Sequence, residues 1–268
     1  MVVREVRVKG VLVRSRVPGV DYSVNPYVGC VHGCRYCYVA GMPYVRTRCE
    51  EWGTFADAKV NAPEHVARGI RRLSPGVLVI GVATDPYQPP EAEFRVTRGI
   101  LEALAAAKAP GRGIDVRVLT KSPLVLRDVD LLRALGAEVG LSVTTDSEDI
   151  RRIFEPGAPA IRERAEALRE LKRAGLRTYA FVGPMLPMDP ERLVGMLSWA
   201  VDRMVLDRMN YRWRVRDIYH AHDLAYALEE DFFLDTAREL VELFAREGIP
   251  AEPTPRWAAR LRRDSTGL

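Results

Sequence analysis

Six short apolar segments recur along this chain, at residues 22–27, 77–83, 114–119, 139–143, 178–182 and 204–206. Helical patterns fall between them. Ile100, Leu101 and Leu104 mark one helix and Leu124, Leu131, Leu132 and Leu135 another. Ile161, Ala165, Leu168 and Leu171 recur at three- or four-residue steps and stop at Gly175. Strands alternating with helices at intervals of about 30 residues make β-α-β units, and those units build a parallel sheet. The pattern alone leaves an open doubly wound sheet and a barrel equally available. Upstream, Val6, Val8, Val11 and Val13 alternate with Arg7, Lys9, Arg14 and Arg16, which predicts an N-terminal hairpin turning at Lys9-Gly10. Downstream, Phe233, Ala237, Leu240, Val241 and Phe244 trace an amphipathic helix. Residues 256–268 read as a mobile basic tail. No linker or short-period repeat divides the chain. One domain is expected, with residues 1–19 as hairpin, about 20–210 as core and 211–268 as a C-terminal helical extension.

A chain of 268 residues buries roughly three-quarters of its unfolded surface, enough for one substantial core. No run approaches the ~20 apolar residues of a membrane span, and the N-terminus carries Arg4, Glu5 and Arg7 in place of an apolar leader. A cytoplasmic protein without a membrane partner is expected. The net charge of +4 permits a polyanionic partner without requiring one.

The chemistry is concentrated in Cys30, Cys34 and Cys37, with Gly29 and Gly33 beside them. Extended, four residues span roughly 14 Å, so this segment must coil for its sulfurs to converge. The glycines permit that coiling. Three thiolates on an iron–sulfur cubane leave one iron open, and an open coordination position is where chemistry happens. The rival is a zinc site completed by Cys49 or His32, which makes the chain a non-catalytic zinc or iron–sulfur module with a structural or RNA-binding role. A disulfide framework does not fit three cysteines crowded into eight positions. Cys49 reads as a buried or half-exposed free thiol.

Cys-x-x-x-Cys-x-aromatic-Cys resembles the signature of the radical S-adenosylmethionine (SAM) superfamily. The longer string Asn25-Pro26-Tyr27-Val28-Gly29-Cys30 through Tyr38 is similar to its spore photoproduct lyase-like branch. That resemblance implies a partial (β/α)6 barrel with the cluster in the loop after the first strand. It also implies a 4Fe–4S cluster on Cys30, Cys34 and Cys37, and a reductant such as flavodoxin or ferredoxin. The expected reaction is reductive cleavage of SAM to a 5′-deoxyadenosyl radical that takes hydrogen from a substrate, with a nucleic acid as first guess, then a peptide or small metabolite.

In α/β barrels the reacting groups gather where strands end. Here those ends carry Thr84-Asp85, Thr120-Lys121-Ser122, Ser142 with Thr144-Thr145, and Gly183-Pro184. Asp85 or the Thr84 region is expected to receive the SAM amine. Lys121 and Ser142 match family positions near its carboxylate and ribose. Arg164, at the end of the lyase-like run that starts Glu155-Pro156-Gly157-Ala158-Pro159, is expected to pair with the carboxylate. Tyr36 matches the aromatic that packs on the adenine, and Tyr38 a position implicated in hydrogen-atom relay. Asp146 and Glu148 read as caps of the following helix. One departure limits the likeness. Spore photoproduct lyases carry a further cysteine as hydrogen-atom donor around the second strand, where this chain has Gly81-Val82-Ala83-Thr84. Thymine-dimer repair is therefore not carried over. The aromatic and basic residues from Asn210 to Arg216 suit base stacking and phosphate contact, or an ordinary loop around a packed Trp213. His220 and His222 have no further ligand pattern nearby and read as ordinary histidines.

Overall fold

The protein is described by a computed structural model covering residues 1–259. Its eleven strands, in chain order, are β1 (Val2–Val6), β2 (Leu12–Arg14), β3 (Tyr22–Val24), β4 (Tyr27–Val28), β5 (Phe55–Lys59), β6 (Gly76–Ile80), β7 (Ile114–Thr120), β8 (Glu138–Ser142), β9 (Arg177–Val182), β10 (Arg203–Leu206) and β11 (Ala251–Pro253). Eight form one sheet in the order β11-β10-β9-β8-β7-β6-β3-β2, and β1-β5-β4 form a second. From β3 through β11 every neighbour pair in the large sheet is parallel. Six of those strands fall on the six apolar segments of the sequence. The ends of the sheet do not pair with each other, so the barrel is partial and open.

Burial explains the order. Along β7, Ile114, Val116, Val118 and Thr120 face inward, whereas all five residues of β8 are buried, as expected for a strand covered on both faces. Helices Val96–Ala106 and Ile161–Arg173 close the outer side through Ile100, Leu101 and Leu104, and through Ile161, Ala165, Leu168 and Leu171. Gly175, at φ +79°, ends the second of these in the left-handed conformation glycine tolerates best. Leu124 lies in a 3-10 segment, Pro123–Asp128, Leu131 and Leu132 in the helix Val129–Ala134, and Leu135 just past that helix. Among the described residues no helix is long and apolar enough to cross a membrane.

Three expectations need correction. The N-terminal alternation does produce strands, but not paired with each other: β1 runs parallel to β5, and β2 pairs antiparallel with β3. Asn61 is the reason. Its side chain accepts from the Val8 amide at 2.9 Å and donates to the Val8 carbonyl at 2.8 Å, ending β1 before a turn back can form. The segment at 22–27 is broken as well. Pro26 has no N–H to continue the ladder, and β4 leaves the large sheet to join β5. Finally, the C-terminal region is not wholly helical. After the helix Glu230–Arg246, β11 adds a parallel strand beside β10, held by Met204 N–H on the Pro250 carbonyl and Thr254 N–H on the Leu206 carbonyl, each at 2.8 Å. Two prolines hid it, and an edge position tolerates them because one side of the strand needs no donors. In that helix Val241 is exposed while Phe233, Leu240 and Phe244 are buried. Trp257 of the basic tail is buried, and the tail beyond residue 259 lies outside the described residues.

Candidate active site

The cysteine loop is fastened from three sides. Gly29 sits at φ +87°, and a Cβ there would stand 2.5 Å from the Phe55 ring, so the loop can pass over β5 only with glycine at this position. Thr84 donates to the Gly29 carbonyl at 2.6 Å, and Gln88 accepts from the Val31 amide at 3.0 Å. From the opposite side the Arg35 amide donates to Phe154 and the Gly157 amide to His32, at 2.9 and 3.0 Å. The loop after β8 thus holds the cysteine segment in register with the strand ends.

Cys30 and Cys34 are buried and Cys37 is partly so. Burial raises all three thiol pKa values, that of Cys34 to about 12. Such thiols stay protonated in an empty loop, and a coordinated cation takes them as thiolates. Among the described residues, no three His, Cys, Asp or Glu side chains converge tightly enough to hold a single metal ion. A zinc centre needs that convergence, with every sulfur about 2.3 Å from one metal. A cubane instead takes one thiolate on each of three irons, so three spaced cysteines around a common cavity fit it. Cys49 is exposed and lies outside the lining of that cavity.

The cavity, of about 250 Å³, opens at the C-terminal ends of β6 to β10 and is lined by all three cysteines. Tyr36, Tyr38, Thr84, Asp85, Lys121 and Ser142 also line it, whereas Arg164 does not. Their hydrogen bonds separate groups already engaged from groups still open. Thr84 is engaged by Gly29. Both Asp85 oxygens are engaged too: Oδ1 by Thr120 Oγ1 at 2.6 Å and the Tyr87 amide at 2.8 Å, Oδ2 by the Lys121 amide at 2.7 Å. Asp85 therefore joins the ends of β6 and β7, and its Oδ2 also lies 3.4 Å from Nδ1 of the buried His32. Tyr38 donates to the Val82 carbonyl at 3.0 Å and lies near-parallel to Tyr211, ring centroids 6.3 Å apart. Ser142 Oγ and Lys121 Nζ make no hydrogen bond among the described residues.

Arg164 lies elsewhere than expected. It is fully buried, donates to the carbonyls of Pro159 and Ser142, and meets Glu155 Oε2 at 2.5 Å. Its guanidinium is occupied by the protein. Glu155 is the residue that sequence reasoning missed. Its Oε1 accepts from the Tyr36 hydroxyl and, at 2.9 Å, from Thr144, and lies 3.7 Å from Lys121 Nζ. One signal was present. Glu155 ends the helix Glu148–Phe154, where a carboxylate opposes the helix dipole, so its presence asks for a tertiary reason. The cap of that helix is Ser147, which accepts from the Ile150 amide; Asp146 instead accepts from the Asp189 amide, and Glu148 from that of Ile161.

Burial by itself would raise the Glu155 pKa, but Arg164 and then Lys121 hold it down, from 4.5 to about 2. A depressed carboxylate stabilises the fold above its unfolded pKa and loses that contribution as pH falls through the folded value. Acid titration of the metal-free protein is therefore expected to remove on the order of 3 kcal/mol between pH about 4.5 and about 2. Denaturant melts across that range check it: a Glu155→Gln variant that loses as much stability as the unaltered chain would refute the assignment.

The loop after β10 forms the remaining wall. Asp207, Arg208 and Tyr211 line the cavity, and Trp213 is 75% exposed rather than packed. Arg212 is tied to the Leu228 carbonyl and Glu230, while Arg214 reaches the Tyr38 carbonyl at 3.5 Å. His220 and His222 lie on the surface.

A family model described as the radical SAM superfamily matches residues 24–200. The chain belongs to that superfamily. As a radical SAM enzyme it has a 4Fe–4S cluster and SAM as cofactors and requires a reductant. Among its relatives is an uncharacterized protein of Methanocaldococcus jannaschii, 31% identical over 189 residues, covering 68% of this chain and 67% of the relative. An uncharacterized protein of Mycobacterium tuberculosis is 32% identical over 176 residues, 62% of this chain and only 50% of the relative. The chain thus spans about half of that longer protein. Similar solved folds include a spore photoproduct lyase complexed with dinucleoside spore photoproduct, with TM-score 0.66, 15% identity and coverage of 94% of this chain and 81% of the lyase. A radical SAM methyltransferase from Sphaerobacter thermophilus gives 0.52 at 17% identity, covering 90% of this chain and 67% of the methyltransferase. At such identities these two likenesses concern the fold.

Proposed function

We propose that Cys30, Cys34 and Cys37 hold the cluster of this radical SAM enzyme, and that it takes hydrogen from a nucleic-acid substrate. One observation carries the assignment: three cysteines, two buried and one half-buried, share a cavity with an ammonium and a hydroxyl that make no hydrogen bonds among the described residues. When bound, the reduced cluster and SAM supply a 5′-deoxyadenosyl radical. Lys121 Nζ suits the SAM carboxylate as a point charge with donors to spare, and Ser142 Oγ suits its ribose. The Tyr36 ring offers a face to the adenine. Thr84 and Asp85 keep the cavity in shape, each through groups already engaged, and Arg164 acts from behind the wall. Tyr38, which lines the cavity, is the candidate residue for hydrogen-atom relay.

For the substrate, support comes from the rim. Tyr38 and Tyr211 lie near-parallel at the cavity, and beyond them the Arg214 guanidinium stands 5.5 Å from the centre of the exposed Trp213 ring. Aromatic faces interleaved with arginine hold nucleic acid through stacking and phosphate contact. A flavodoxin or ferredoxin is the proposed electron source, and the cytoplasm the proposed compartment. The test is anaerobic loading with iron and sulfide, then dithionite, SAM and deuterated oligonucleotides. Deuterium recovered in 5′-deoxyadenosine is the expected result. Label arriving only from peptides or metabolites would overturn the substrate class, and stoichiometric zinc with no SAM cleavage would overturn the cluster assignment.

A further inference from the structure

Glu155 joins four segments: the cysteine loop, the ends of β7 and β8, and the helix Ile161–Arg173. Its Oε1 accepts from Tyr36 on the cysteine loop and from Thr144 just after β8, and faces Lys121 at the end of β7. Its Oε2 meets Arg164 of the helix Ile161–Arg173. None of this requires a ligand. Arg164 alone neutralises the carboxylate, yet Lys121 is drawn to the same oxygen that holds Tyr36, and its Nζ stands 5.8 Å from the centre of the Tyr36 ring. Glu155 is the one carboxylate within 4.0 Å of that ammonium among the described residues. A lysine side chain has four rotatable carbons and no preferred direction in an open cavity, so a single fixed counter-charge decides where its donors lie.

We infer that Glu155 is a positioning residue for SAM: backed by Arg164, it sets Lys121 and Tyr36 in the pose that receives the cofactor. This rests on the proposed contact between Lys121 and the SAM carboxylate. A carboxylate that merely stabilised the fold would affect SAM binding independently of Lys121. One that acts by aiming the ammonium has nothing left to aim once the ammonium is gone.

A double-mutant cycle separates the two. SAM dissociation constants are measured anaerobically on cluster-loaded protein for the unaltered chain, Glu155→Gln, Lys121→Met and the pair. Lys121→Met is expected to weaken SAM about tenfold or more, the scale of a lost hydrogen bond to a charged group. Glu155→Gln is expected to weaken it about fivefold in the unaltered background and less than about twofold in Lys121→Met. Fold-changes that simply multiply would overturn the positioning role. A Lys121→Met protein that binds SAM normally would overturn the SAM contact itself, and the positioning role with it. Should Glu155→Gln not fold, Thr144→Val takes its place, because it removes a hydroxyl from Glu155 and lies outside the cavity lining. The same cycle then expects a smaller weakening that vanishes beside Lys121→Met, and multiplication again overturns the inference.

Discussion

Alanine at Cys34 is expected to abolish both iron loading and release of 5′-deoxyadenosine, while the far-ultraviolet spectrum stays that of the unaltered chain. Cys34 is the middle one of the three proposed ligands, 8% exposed, and its carbonyl accepts from the Trp52 indole at 3.3 Å. Alanine keeps that carbonyl and every backbone bond of the loop, so the metal-free fold should lose no more than about 1–2 kcal/mol. The cluster loses one of three protein bonds, and the two remaining thiols have no thiol substitute in the cavity, since Cys49 lies outside its lining. Iron analysis after reconstitution and chromatography of the nucleoside product give the answer. Full iron occupancy in the variant would mean that another residue completes the set and that the assigned triad is wrong.

Arg164→Met should cost about 3–5 kcal/mol, because it leaves Glu155 charged, buried and without its main partner. For a chain of this size that lowers the melting temperature by roughly 6–15 °C. Adding Glu155→Gln to Arg164→Met should recover part of the loss, since the second change removes the stranded charge rather than another contact. A melt showing less than about 1 kcal/mol for the single variant would mean that Lys121 moves in and replaces the guanidinium, contrary to the fixed geometry described above.

The parallel sheet was legible in the sequence because a strand buried on both faces must be apolar throughout, a local property that survives without knowledge of partners. The buried run Val139-Gly140-Leu141 of β8 is the example. The pairing of β1 with β5 was not legible. An alternating pattern identifies a strand face but not the edge it joins, and here one distant side chain, Asn61, decides. At the site, the cysteine triad is local, so spacing alone revealed it, and Lys121 and Ser142 were reachable because strand ends in such folds point into the mouth. Arg164 and Glu155 defeated sequence reasoning for the same reason. Which of two buried ions faces a cavity and which one supports it depends on the loop at 155–160 folding back on the cysteine segment.

The order of residues along the chain, by itself, determined that strands and helices alternate and that three thiols share one short loop, because both follow from neighbours within a few positions. Tertiary structure alone decided which polar groups remain open toward the cavity. Asp85 is engaged across β6 and β7, Arg164 is held by three residues, and Lys121 keeps its donors. Whether a side chain is satisfied depends on atoms brought together from distant parts of the sequence, and a buried polar group is closed or open according to those partners.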